Sequence, residues 1–226
     1  MIFSFILDPL YFILVGPVFL IGIWAQFRVK SAFAKGTREP VSMSGAEAAR
    51  RVLDYAGLDN VPIEEIPGTL SDHYDPSKRV LRLSSEVYHG RNAAAVGVAA
   101  HEAGHAMQHA QNYGPLIIRN LAVPLASFGS GAGLWMVIFG MLFSFQPLVW
   151  AGIILFAGVV FFQLINLPVE FNASTRAKIE LSNMGMFSDA ALVSVRKVLS
   201  AAAMTYVAAT LQAVMTLVYL LLRSRD

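Results

Sequence analysis

The run Asn92-Ala-Ala-Ala-Val-Gly-Val-Ala-Ala-His-Glu-Ala-Gly-His-Ala-Met-Gln-His109 decides how the rest of the chain is read. Its alanines favour a helix, Asn92 can cap the start, and Gly114-Pro115 stops anything that continues past Asn112. On a helix, His101 and His105 are little more than one turn apart, so their imidazoles leave from one face and can grip a single ion. Histidines at that spacing bind zinc, and Glu102 beside the first is close enough to act as general base on a zinc-activated water. A helix that merely happens to carry these groups is the plainer reading. It is disfavoured because His and Glu are costly on an otherwise apolar helix and the chain has only 5 His.

Composition sets the surroundings of that helix. Of 226 residues, 56% are hydrophobic and 14% charged, which excludes an ordinary soluble domain and points to a membrane protein. Cysteine is absent, so any zinc rests on His, Asp or Glu. The net charge of +2 does not mark a nucleic-acid binder, because the basic residues are scattered along loops.

Apolar runs at 3–27, 121–145, 148–167 and 201–222 are each long enough to cross a hydrocarbon core of roughly 30 Å. The first is read as a retained anchor, since no basic residue precedes it and it exceeds a signal peptide's apolar core. Arg28, Lys30, Lys35 and Arg38 follow at once, which places the N-terminus outside and the next segment in the cytosol. By this topology 15 of the 17 Lys and Arg are cytosolic, and the C-terminal tail with Arg223 and Arg225 is outside. The expected organisation is a first membrane helix at 3–27, a cytosolic domain at 28–120 and a membrane hairpin at 121–168. A cytosolic helix at 169–200 and a last membrane helix at 201–222 complete it.

Within 28–120, Ser44 and Glu47 form a capping-box pattern ahead of a helix over 46–56, which Gly57 ends. Strand-like segments at 61–66, 70–76 and 78–83 predict a small sheet just before the metal-binding helix, and its edge could pair with an extended substrate. In the membrane part, Gly129, Gly131 and Gly133 give a small-residue surface for close helix approach. Gln163, Asn166 and Glu170 share one helical face that must look toward protein or water, and Pro168 is expected to kink their helix.

A catalytic zinc wants three protein ligands and an open position. The third must lie on the same side of the membrane as His101 and His105. The hairpin crosses twice, so the chain re-emerges on that side near 167–171, where Glu170 is the first acidic residue. Glu170 is therefore assigned as the third ligand of a His, His, Glu set; the competing reading is an interfacial Glu paired with Arg119 or Arg176.

Four runs carry a family resemblance: Asp72-His-Tyr-Asp-Pro76, Ala100-His-Glu-Ala-Gly-His-Ala-Met-Gln108, Leu167-Pro-Val-Glu-Phe-Asn-Ala-Ser174 and Ala201-Ala-Ala-Met-Thr-Tyr-Val-Ala208. They resemble the YugP-type membrane-bound neutral zinc metallopeptidases of bacteria over nearly the whole chain. More distantly the arrangement is similar to HtpX and the CAAX-prenyl peptidases, where a Glu-x-x-x-Asp segment after a membrane hairpin supplies the last ligand. Matching that segment puts its Glu on Glu170 and its Asp on Ser174, so a ligand-orienting carboxylate is replaced here by a neutral hydroxyl. The resemblance implies endopeptidase activity in the bacterial plasma membrane, directed at membrane or membrane-proximal proteins.

The sequence-level expectation is thus a mainly α, polytopic membrane protein with four transmembrane helices. A small cytosolic α+β domain of zincin-like type carries the His-Glu-x-x-His helix, and one Zn2+ is bound per chain by a gluzincin-like ligand set. Its partners are a polypeptide substrate and the lipid bilayer, with no nucleic acid; a homo-oligomer or a membrane regulatory partner is left open. His73, Asn172, Arg176 and Tyr206 are candidates for stabilising the developing oxyanion, and Ser174 for supporting a ligand. His109 is expected beside the ligands or in solvent, since eight residues from His101 rotate it off the ligand direction. The rival functions are a catalytically inactive zinc-bound scaffold, an intramembrane protease of the site-2 type and a transporter. Glu102 speaks against the scaffold, the polar residues bracketing 93–107 against the second, and the lack of titratable groups in mid-span against the third.

Overall fold

The structure is a computed structural model and describes residues 8–224. It is mainly helical, with four helical stretches long and apolar enough to cross a membrane: Pro9–Thr37, Gly114–Leu142, Gln146–Asn183 and Asp189–Arg223. Residues 3–7 of the first expected span, and Arg225, lie outside the described residues. In chain order the elements are α1 (Pro9–Thr37), α2 (Gly45–Tyr55), β1 (Ile63–Ile66), β2 (His73–Asp75), β3 (Val80–Ser84), α3 (Ser85–His89) and α4 (Ala93–Ala110). Then come α5 (Gly114–Phe128), a π turn (Gly129–Gly133), α6 (Leu134–Leu142), α7 (Gln146–Asn183) and α8 (Asp189–Arg223).

The helices outrun the apolar spans read from the sequence. Hydropathy marks where lipid replaces water, whereas a backbone ladder stops only at a cap or a breaker. α1 continues past the apolar run to Thr37, and α7 passes through Pro168 without a break to Asn183. The segment 169–200, expected as one helix, is the end of α7 and the beginning of α8. Gly185, at φ +62, takes a left-handed conformation that glycine adopts without steric cost. The Ser188 hydroxyl then accepts the Ala191 N–H at 3.1 Å, starting α8.

The chain divides into two compact units. One comprises Met1–Ala25, Pro115–Pro168 and Thr205–Asp226. Its core includes Val15, Val137, Val149, Ile153, Phe156 and Tyr219. Gly129 and Gly133 let their backbone approach the α7 carbonyls of Leu155 and Gly152, while Gly131 faces open space. The small-residue surface is therefore used at two of the three glycines. The Tyr219 hydroxyl donates to Asp8 at 3.1 Å, tying α8 to the residue before α1.

The second unit comprises Gln26–Gly114 and Val169–Met204. α2 begins with the full capping box: the Ser44 hydroxyl accepts the Glu47 N–H at 3.2 Å and Glu47 accepts the Ser44 N–H at 2.9 Å. Its apolar face buries Ala48, Ala49, Val52 and Leu53 against Val96, Ala99, Ala100 and Ala103 of α4. The sheet has the order β1-β3-β2, with β1 parallel and β2 antiparallel to β3. β3 lies in the middle with Val80, Leu81 and Leu83 buried, and β2 forms an edge. Asp72 secures the start of that edge, accepting the Ser84 N–H at 2.7 Å and the Ser84 hydroxyl at 3.0 Å.

Candidate metal centre

α4 starts as its sequence predicts, with the Asn92 side chain accepting the Ala95 N–H at 2.9 Å. Most of it is buried, and alanine at positions 93–95, 99, 100, 103 and 106 keeps its girth small. A close approach is made at Gly104. A Cβ there would lie 2.6 Å from the backbone carbonyl oxygen of Ala173 on α7, so only glycine lets the two helices cross this tightly. Gly104→Ala is expected to force the backbones apart, destabilising the fold by about 1–3 kcal/mol as overpacked cores do. Because the same crossing carries the candidate ligands, zinc affinity should fall with it; thermal unfolding and a zinc titration on the variant check both.

On one side of this crossing, three side chains converge. Nε2 of His101 is 3.2 Å and Nε2 of His105 is 3.6 Å from Oε2 of Glu170. One ligand atom from each of the three residues lies within 4.8 Å of the other two. Metal–ligand bonds of about 2.0–2.2 Å around a tetrahedral zinc would set neighbouring ligand atoms roughly 3.3 Å apart, so the spacing fits the ion. The donor chemistry fits too: two imidazoles and one carboxylate, with Glu170 only 5% exposed and His105 8%.

The outward nitrogens of the two rings are also engaged. His101 Nδ1 meets the Ser174 hydroxyl at 3.1 Å, and His105 Nδ1 meets Oε1 of Gln108 at 3.0 Å. Both rings therefore turn Nε2 toward the shared centre, as metal-ligating histidines do when the other nitrogen is held from behind. Burial works against a charged His105, but the Glu170 hydrogen bond and the charges of Glu102 and Glu170 outweigh it and raise its pKa.

Glu102 is held from the sheet. Its Oε2 accepts the backbone N–H of Tyr74 at 3.1 Å, so the free side of the edge strand β2 is turned to α4 at this point. Burial pushes the Glu102 carboxyl above the ordinary carboxylate range; the histidines at 101 and 105 pull against that shift, and Glu170 and Asp72 add to it. A carboxylate so placed is a stronger proton acceptor than one in water.

The remaining candidates divide. Asn172 and Arg176 join a chain behind the candidate ligands: Arg176 Nε donates to Asn172 Oδ1 at 2.6 Å, and Arg176 also donates to Gln111 Oε1 at 2.7 Å. His73 is exposed on β2 with Nδ1 2.7 Å from the Ser71 carbonyl oxygen. Tyr206 belongs to the other unit, on α8, where its backbone carbonyl accepts the Thr210 hydroxyl. His109 pairs with the Tyr74 hydroxyl at 2.9 Å, a second tie between α4 and β2. Gln108, Gly104 and the Tyr74 backbone were not singled out by sequence reasoning, and each acts through a partner distant in sequence.

A family described as "Putative neutral zinc metallopeptidase" matches this chain over residues 11–225, and the chain belongs to that family. It is 49% identical over 211 residues to "Putative membrane protease YugP" of Bacillus subtilis (strain 168), which covers 91% of this chain and 94% of that protein. No solved structure matches.

Proposed function

We propose that this chain is a membrane-embedded zinc metalloendopeptidase that hydrolyses peptide bonds of membrane or membrane-proximal polypeptides. The observation that carries the reading is the convergence of His101, His105 and Glu170 beside a Glu102 whose carboxylate is oriented by an edge strand. His101, His105 and Glu170 would hold one zinc ion in a gluzincin-like set on a zincin-like domain. When bound, that ion supplies a Lewis acid for water activation and carbonyl polarisation.

The chain's own residues supply the rest. Glu102 takes the proton of the attacking water as the new C–O bond forms at the scissile carbonyl. It returns that proton to the amine nitrogen as the C–N bond breaks, so no net proton is consumed in the two transfers. The Tyr74 N–H holds the carboxylate in place for both. The Tyr74 N–H is engaged by Glu102, so an extended polypeptide lying along β2 past Glu102 would pair with backbone groups of that edge on either side of Tyr74, giving affinity that is tolerant of sequence. By the charge bias of the loops, the site faces the cytosol of a bacterial plasma membrane, with both termini outside.

Removal and return of the metal tests this. Detergent-purified protein is expected to contain about one zinc per chain and to cleave an unfolded reporter polypeptide. A strong chelator should remove metal and cleavage together, and one equivalent of zinc should restore both. Protein that keeps its zinc yet cleaves no member of a broad peptide library would instead behave as the inactive scaffold.

A further inference from the structure

We propose that Gln108 is a positioning residue that fixes the protonation pattern of His105 and the seating of Glu170 before metal arrives. The inference rests on the metal-centre reading above and extends it to a side chain that does not touch the ion. Gln108 is fully buried, at 0% exposure, one turn beyond His105 on α4. Its Nε2 lies 2.7 Å from the Val169 carbonyl oxygen and 3.0 Å from Asn172 Oδ1, and its Oε1 lies 3.0 Å from His105 Nδ1.

The orientation of every group in this chain follows from its two ends. A backbone carbonyl can only accept, so the Gln108 atom facing Val169 must be the amide nitrogen, and the atom facing His105 must be the oxygen. An arginine can only donate, so the Asn172 atom receiving Arg176 must be its oxygen, which then also accepts from Gln108. An amide oxygen can only accept, and His105 Nδ1 must therefore carry a hydrogen in either protonation state, which makes Nε2 the nitrogen that gives up its proton to take the metal. Both amide hydrogens of Gln108 are used, and an amide flip would set oxygen against oxygen at Val169 and at Asn172.

His101 is held differently. Its Nδ1 partner is the Ser174 hydroxyl, which can donate or accept, so that contact does not choose a tautomer. The two histidines are thus unequal: His105 is preset and His101 adapts. The anchor at Val169 adds a second effect, since that residue immediately precedes Glu170, and a hydrogen bond to its carbonyl fixes the rotation of α7 where the third ligand leaves it.

The test uses full-length protein in detergent, reading zinc affinity by chelator competition and the His105 imidazole N–H resonance in the zinc-loaded form. Wild type should show that N–H protected from exchange. Gln108→Leu is expected to bind zinc about 10–100-fold more weakly, as loss of a ligand's outer partner does, and to lose the resonance. Gln108→Glu keeps an acceptor for His105, so it should retain the resonance and stand between wild type and Gln108→Leu in affinity. If Gln108→Leu does not fold, Asn172→Ala carries the test, since it frees one amide hydrogen and should cost part of the same affinity. Wild-type affinity in whichever of these two variants folds, or a Gln108→Glu protein that lacks the protected resonance, overturns the inference while leaving the metal centre standing. Wild type that takes up no zinc overturns both.

Discussion

Glu170→Ala should reduce zinc content from about one per chain to near none at ordinary metal concentrations, because a catalytic centre built on three protein ligands falls to two. The structure makes the loss severe for a second reason. Glu170 is buried, and its Oε2 sits 3.2 Å and 3.6 Å from the two imidazole nitrogens, so it is the negative charge that makes a dication acceptable in this interior. Removing it leaves the two imidazoles without that charge beside them. Metal analysis of wild type and variant, purified side by side, decides the matter before any substrate is known. Zinc retained in full by Glu170→Ala would mean that the third ligand lies elsewhere, while a variant that loses metal but keeps its helical content would separate ligation from folding.

How much of this centre could be read beforehand depends on the distance over which each residue acts. His101 and His105 were legible because helix geometry alone, a spacing of four, brings them to one face. Glu170 was legible by a coarser argument, the parity of membrane crossings, which needs no detail of packing. Gln108 was not, although its partners at Val169 and Asn172 lie on the same helix as Glu170. A glutamine near a helix end has no signature, and its contact to Val169 spans 61 residues of sequence. Gly104 reads as a weak point in an alanine-rich helix until Ala173 is seen against it. Tyr74 contributes through its backbone N–H, which side-chain pattern cannot reveal. The four long apolar helices were found but their ends were not, because α1 and α7 keep their hydrogen-bond ladders beyond the apolar runs that announced them.

Glu102→Gln is the complementary case, expected to keep zinc and lose turnover. The substitution preserves shape, and its amide oxygen can still accept the Tyr74 N–H that now reaches Oε2 at 3.1 Å, so the side chain should stay in place. What disappears is basicity. An amide cannot take the proton of the attacking water or return it to the leaving amine, and general acid–base catalysis of this kind is worth about 10²–10⁴ in rate. The loss should appear in kcat with zinc content unchanged, which distinguishes it from Glu170→Ala, where metal and rate fall together. The pH profile gives a second signature. Burial raises the Glu102 carboxyl, so the wild-type rate should decline as pH falls through a value above the ordinary carboxylate range, where the base becomes protonated. In Glu102→Gln that acid limb should vanish from whatever residual activity remains. Undiminished hydrolysis by the variant would remove Glu102 from the mechanism, and since the Tyr74 contact orients no other carboxylate, it would also remove the catalytic role assigned to the meeting of β2 and α4.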